Sequence, residues 1–169
     1  MRTTCRRVLT ILAILGLVSV TSAAMAQAQI AKQGQPRGQA GFYGKGSSID
    51  FGNGYSGWVG EFWGASHSNQ GKGLLHNAAW YCSGEWSGGK EKNNPHGGFC
   101  KVTDPEGDVI YLRWEAAELR PVGSSYNKGT YVAGTGKYKG ITGFYLFDVK
   151  FIADGVWSGE IVGGEYKLP

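Results

Sequence analysis

Apolar and polar residues alternate through the second half of the chain. In Val109–Glu115, Ile110, Leu112 and Trp114 share one parity, and Tyr111, Arg113 and Glu115 share the other. In Tyr145–Phe151, Tyr145, Phe147, Val149 and Phe151 alternate with a face that carries Asp148 and Lys150. A period of two puts successive side chains on opposite faces of a strand. Further strand-like runs cover Gly57–Ser66, Leu74–Cys82, Phe99–Thr103, Thr130–Ala133 and Val156–Val162. No segment shows a convincing helical period. The best candidate, Trp114–Leu119, is short and is stopped by Pro121. Seven or eight strands with turn signals between them predict an all-β chain: a single small antiparallel β-barrel of about eight strands, with a sandwich as the alternative. Closure removes the open edges that so aromatic a sheet could not safely expose.

Two turn segments stand out. Asp104-Pro105-Glu106-Gly107-Asp108 has Pro to preset φ and Gly to supply a left-handed residue, which predicts a bulged hairpin joining Phe99–Thr103 to Val109–Glu115. Its three carboxylates also suggest calcium. The segment lacks the full oxygen-ligand loop and its closing bidentate Glu, so it reads as a turn and no metal is expected. The second segment, Gly134–Gly143, reads GTGKYKGITG. Four glycines at this density oppose a helix, at a cost close to 1 kcal/mol each. They suit a β-connection that needs positive φ or close backbone approach.

The N-terminus has the pattern of a secretory signal peptide. Arg2, Arg6 and Arg7 precede an apolar run from Val8 to Val20, and Ala24-Met25-Ala26 forms a small-x-small cleavage site. The expected domains are a signal peptide over 1–26, a flexible leader over 27–41 that is rich in Gln and Gly, and a β-barrel over 42–169. Export to the periplasm or the medium follows, with cleavage before Gln27. An uncleaved N-terminal anchor is the alternative. No later segment approaches the ~20 apolar residues of a spanning helix, so no stable membrane span is expected.

The signal also accounts for most of the net charge. The chain has 17 Lys+Arg against 13 Asp+Glu. Without Arg2, Arg6 and Arg7 that balance is 14 against 13, or +1. Such a chain has no charge excess to drive nucleic-acid binding by phosphate neutralisation. Cys82 and Cys100 remain after cleavage, and an even pair in an exported chain predicts a disulfide. Redox activity or metal ligation would be expected to use CxxC spacing, which the pair lacks.

GTGKYKGITG, placed between a strand and an aromatic strand, resembles the G-x-G-x-Y/F-x-G-x-x-G signature of allene oxide cyclase-like and dirigent-like β-barrels. Cys82, Gly98-Phe99-Cys100 and the Thr103–Asp108 turn together resemble small uncharacterised exported bacterial proteins. The resemblance spans about residues 74–166. It implies a barrel, often assembled into oligomers. It implies either isomerisation of a fatty-acid epoxide or steering of radical coupling. No catalytic position of either family maps onto a residue here, so no catalytic residue is assigned.

Catalytic motifs are sparse. There is no nucleophile elbow, no H-E-x-x-H and no phosphate loop. His67, His76 and His96 lack the spacing of a metal pair, and Glu85, Glu91, Glu115 and Glu118 read as solvated surface. No cofactor is implied. Six tryptophans are either core or the lining of a barrel mouth. The candidate ligand-lining residues are Trp80, Trp114, Tyr145 and Phe147, on strands that flank the two turn motifs. Arg113 is a candidate to hold a ligand carboxylate, or else pairs with a neighbouring acid. Ser83–Gly98, with Trp86 and His96, is long for a hairpin loop, as lids and binding loops are. The leading expectation is non-catalytic binding of a small apolar or amphiphilic molecule. The alternatives are an isomerase or cyclase, and an envelope interaction protein with a filled core.

Overall fold

The structure is a computed structural model and describes residues 30–89, 96–118, 120–121 and 123–169. The strands are β1 (Gln33–Gly34), β2 (Gly38–Gly52), β3 (Tyr55–Ser68), β4 (Ala78–Gly88), β5 (Gly97–Thr103), β6 (Val109–Glu118), β7 (Ser124–Gly134), β8 (Thr142–Ala153) and β9 (Val156–Lys167). Each strand from β2 to β8 pairs antiparallel with the next, and β9 pairs with both β8 and β2. The sheet therefore closes into an eight-stranded antiparallel barrel. β1 lies against the far end of β9, through Gln33↔Lys167 and Gly34↔Tyr166, and continues the line of β2. No helix among the described residues is long and apolar enough to cross a membrane.

The period-two reading of β6 and β8 holds. Ile110 and Leu112 are buried and Tyr111 and Arg113 exposed. Tyr145, Phe147 and Val149 face the interior. Phe151, expected on the same face, reaches the rim and is exposed. The hairpin at 104–108 forms as expected. Gly107 has φ of 91°, and the Asp104 carboxylate accepts hydrogen bonds from the amides of Glu106 and Asp108 at 2.9 and 3.0 Å. Cys82 and Cys100 are direct cross-strand partners on β4 and β5, with Cα atoms 4.0 Å apart, and form a disulfide.

Three boundaries differ from the sequence reading. Part of the expected leader is sheet: Gln33–Gly34 forms β1, and Gly38–Gly41 opens β2. β2 was hidden because its inward positions include Gly38, Ala40, Gly44 and Gly46, which give no hydrophobic period. Leu74–Asn77 is a turn that precedes β4, with Leu75 and Asn77 at positive φ. Ser83–Gly88 belongs to β4, so the expected long loop is mostly strand at its ends. The expected signal peptide lies outside the described residues.

The two ends of the barrel differ. The β3–β4, β5–β6 and β7–β8 connections share one end. There Leu74, Leu75, Tyr138, Ile141, Tyr166 and Leu168 are buried in the core cluster and plug the barrel. The GTGKYKGITG segment supplies two of them. It makes a single 3-10 turn at Gly136–Tyr138, which turns the Tyr138 ring inward. The Tyr138 hydroxyl donates to the Asp104 carboxylate at 3.0 Å, and Thr135 Oγ1 accepts from the Val109 amide at 2.8 Å. This motif is structural here: it locks the closed end onto the 104–108 hairpin.

Candidate functional site

Among the described residues the opposite end is open and leads into a cavity of about 630 Å³. Trp58 on β3, Trp86 on β4, Trp114 on β6 and Trp157 on β9 line it. Deeper in, Phe42, Phe62, Trp80, Tyr145 and Phe147 also line it. The rings are interlocked. Phe42 stacks on Trp157 at 6.0 Å and meets Phe62 and Trp80 edge-on at 5.6 and 5.7 Å. Phe62 meets Trp114 at 5.8 Å.

Inward-facing glycines let these large rings fit inside a narrow barrel. A Cβ on Gly44 would come within 2.5 Å of the Trp157 ring, and one on Gly60 within 2.5 Å of Trp58. The deepest ring, Trp80, is anchored by a buried relay. Its indole N–H donates to Ser66 Oγ at 2.8 Å, and that hydroxyl donates to the Leu75 carbonyl at 2.7 Å. Ser66 is fully buried, so each polar atom in this relay is matched inside the core.

One sector of the wall is polar. His96, just before β5, and Ser125 and Asn127, at the open end of β7, all line the cavity. His96 Nε2 lies 2.8 Å from Ser125 Oγ and 2.9 Å from Asn127 Oδ1, and Ser125 Oγ donates to the same Oδ1 at 2.9 Å. The Trp114 ring lies 5.8 Å from the imidazole, and its indole N–H is buried with no acceptor among the described residues. Next inward on β7 is Gly129, and the Tyr145 phenol lies against it. Burial raises the pKa of that phenol well above its ordinary value, so it stays a neutral hydroxyl. Asp154 is the one carboxylate among the described lining residues. It sits in the β8–β9 turn at the rim, so the described residues of the wall hold no carboxylate pair for acid–base work.

Of the residues expected to line a ligand site, Trp80, Trp114, Tyr145 and Phe147 converge on this cavity. Arg113 does not. It has the opposite parity to Trp114, points outward and pairs with Glu115 at 3.1 Å. Trp86 and His96 enter the wall from the two flanks of the expected binding loop. Sequence reasoning missed Phe42, Ser125 and Asn127 as site residues. Ser125 and Asn127 have the parity of Tyr131, but the β7 period was legible only from Thr130. Trp63 faces outward and stacks on Tyr81 at 5.8 Å.

The other candidate clusters stay local. Asp104, Glu106 and Asp108 bring carboxylate oxygens within 4.8 Å of one another. The Lys137 ammonium pairs with Asp104 and Glu106, so a side chain supplies the positive charge there. His67 bonds Asn77 at 2.7 Å and His76 accepts from the Ser68 amide at 3.2 Å, both near the closed end.

No family model, no curated protein and no solved structure matches this chain.

Proposed function

We propose that this barrel is an exported binding protein that holds a small, largely apolar or amphiphilic molecule in its open-end cavity. The carrying observation is the contrast between the two ends: one is plugged by core side chains, and the other opens into about 630 Å³ lined by five tryptophans. Ligand pockets commonly measure about 300–1,000 Å³ and are mostly apolar with a few placed polar groups. Export rests on the basic, apolar and small-residue pattern of the first 26 residues. Native mass spectrometry of protein purified gently from the periplasm tests both points. The expected result is a chain beginning at Gln27 with added mass that is lost on denaturation. A chain that stays apo through purification and takes up no apolar compound on titration contradicts the binding reading.

A second reading is an isomerase or cyclase, as the resemblance to allene oxide cyclase-like barrels implies. The His96–Ser125–Asn127 cluster favours it, because a polar group facing an apolar cavity can fix a reactive conformer while the walls exclude water. A bound compound that leaves with unchanged mass and a changed spectrum would support this reading. Recovery of the same compound unaltered supports binding alone.

A further inference from the structure

We propose that the ligand of this cavity carries a neutral carbonyl-type oxygen, which hydrogen-bonds to the Asn127 side-chain amide beside Trp114. The inference rests on the binding reading above and specifies the chemistry of the ligand's head.

Donors and acceptors around the polar sector do not balance. Asn127 Oδ1 is already used twice, by Ser125 Oγ at 2.9 Å and His96 Nε2 at 2.9 Å. Ser125 Oγ spends its proton on that same oxygen. A carboxamide has two further donors on its nitrogen, and no contact among the described residues uses them. Asn127 is half-buried and lines the cavity, so its carboxamide borders the space a ligand would fill. Beside it, the Trp114 indole is donor-only, and its buried N–H has no acceptor among the described residues. The sector therefore holds a surplus of donors and a deficit of acceptors. An apolar ligand would leave the Asn127 donors desolvated and unpaired, which is costly.

Charge narrows the class further. Among the described residues no lysine or arginine stands in this sector: Lys45 is the one such lining residue, and it belongs to the exposed stretch of β2. A carboxylate head would find no lysine or arginine among the described residues of this sector as counter-ion, and an unpaired buried charge is strongly disfavoured. A neutral ketone, aldehyde, quinone, ester or amide oxygen accepts from two donors and carries no charge. The opposite wall, built from Phe42, Phe62, Trp58 and Trp157, offers ring faces to the rest of the molecule.

The test uses two probes of the same shape, 2-acetylnaphthalene and 2-isopropenylnaphthalene, which differ in C=O against C=CH2. Their affinities are measured by equilibrium dialysis on the full mature chain and on Asn127→Asp. That variant keeps the oxygen that Ser125 and His96 use and loses both N–H donors. The ratio of acetyl to isopropenyl affinity is expected to fall about tenfold or more in the variant, and the ratio cancels any effect of the new carboxyl that both probes share. A second readout needs no variant. The carbonyl stretch of bound 2-acetylnaphthalene should move below its position in hexane, as a hydrogen bond requires. If both probes bind, the ratio is unchanged and the stretch matches hexane, the head-group inference is overturned and the binding reading stands. If neither probe binds the wild-type chain, both are overturned.

Discussion

The ring of Trp114 occupies the space that a side chain on Gly84 would need. A Cβ built on Gly84 would stand 2.3 Å from Trp114 Cζ2. The two residues are separated by a whole strand, β5, in which Gly98 pairs with both. The indole thus crosses the inner face of β5 to reach β4, and it can do so because the position it crosses, Gly98, and the one it reaches, Gly84, are both glycine. Missing side chains on one strand are filled by aromatic rings from another, and the barrel wall stays thin enough to leave a cavity.

Gly84→Ala is therefore expected to displace the Trp114 ring. Overpacking of this kind costs about 1–3 kcal/mol. Urea denaturation of the two chains reads the loss directly. An unchanged midpoint would mean that the ring has room to give, and that the glycine is not needed for its placement.

The buried relay under the cavity makes a second prediction. Ser66→Ala leaves the Trp80 indole N–H and the Leu75 carbonyl without their shared partner. An unpaired buried polar group costs about 1–3 kcal/mol, so the variant should lose at least that. Ser66→Thr keeps the hydroxyl and separates loss of the hydrogen bonds from any effect of side-chain size. If alanine at this position is as stable as the wild type, the relay does not hold Trp80.

The disulfide joins residues 18 apart in sequence across adjacent strands. Closing a loop of that length restricts the unfolded chain, which corresponds to about 3 kcal/mol. Guanidinium denaturation with and without reductant should show the difference. Superimposed curves would argue that the sheet pairing alone keeps β4 and β5 in register.

The closed end should respond to acid. Burial acts to raise the Asp104 carboxyl, but hydrogen bonds from Lys137, Tyr138 and the Glu106 amide, with the charge of Lys137, hold it below its ordinary value. A carboxyl depressed in the folded state stabilises the fold fully above the unfolded value of 3.8, and the contribution disappears as pH falls through the lower folded value. Between pH 7 and pH 3 the wild type should therefore lose more stability than Asp104→Asn. Parallel losses in the two chains would remove Asp104 from the acid response.

The barrel was legible in the sequence where inward side chains are large. Ile110, Leu112 and Tyr145, Phe147, Val149 mark β6 and β8 by their own hydrophobicity. The same logic failed for β2, whose inward glycines are complemented by Trp58 from the next strand and by Trp157 from β9, far along the chain. The site was half legible for the same reason. Trp80 and Trp114 lie on recognisable strands, whereas Ser125 and Asn127 look like loop residues until closure of the barrel brings them beside His96, about thirty positions away. Arg113 read either as a ligand contact or as the partner of a neighbouring acid, and its outward parity and its pairing with Glu115 agree with the second.

The central claim is that a small apolar molecule occupies the open-end cavity. Titration of the uncharged dye N-phenyl-1-naphthylamine, with tryptophan excitation, tests it most directly, because five tryptophans line that space and lie within energy-transfer range of anything bound there. The account predicts one saturable site per chain, with tryptophan emission quenched as dye emission rises and the dye displaced by 2-acetylnaphthalene. A weak, non-saturating signal that an unfolded chain reproduces would contradict it.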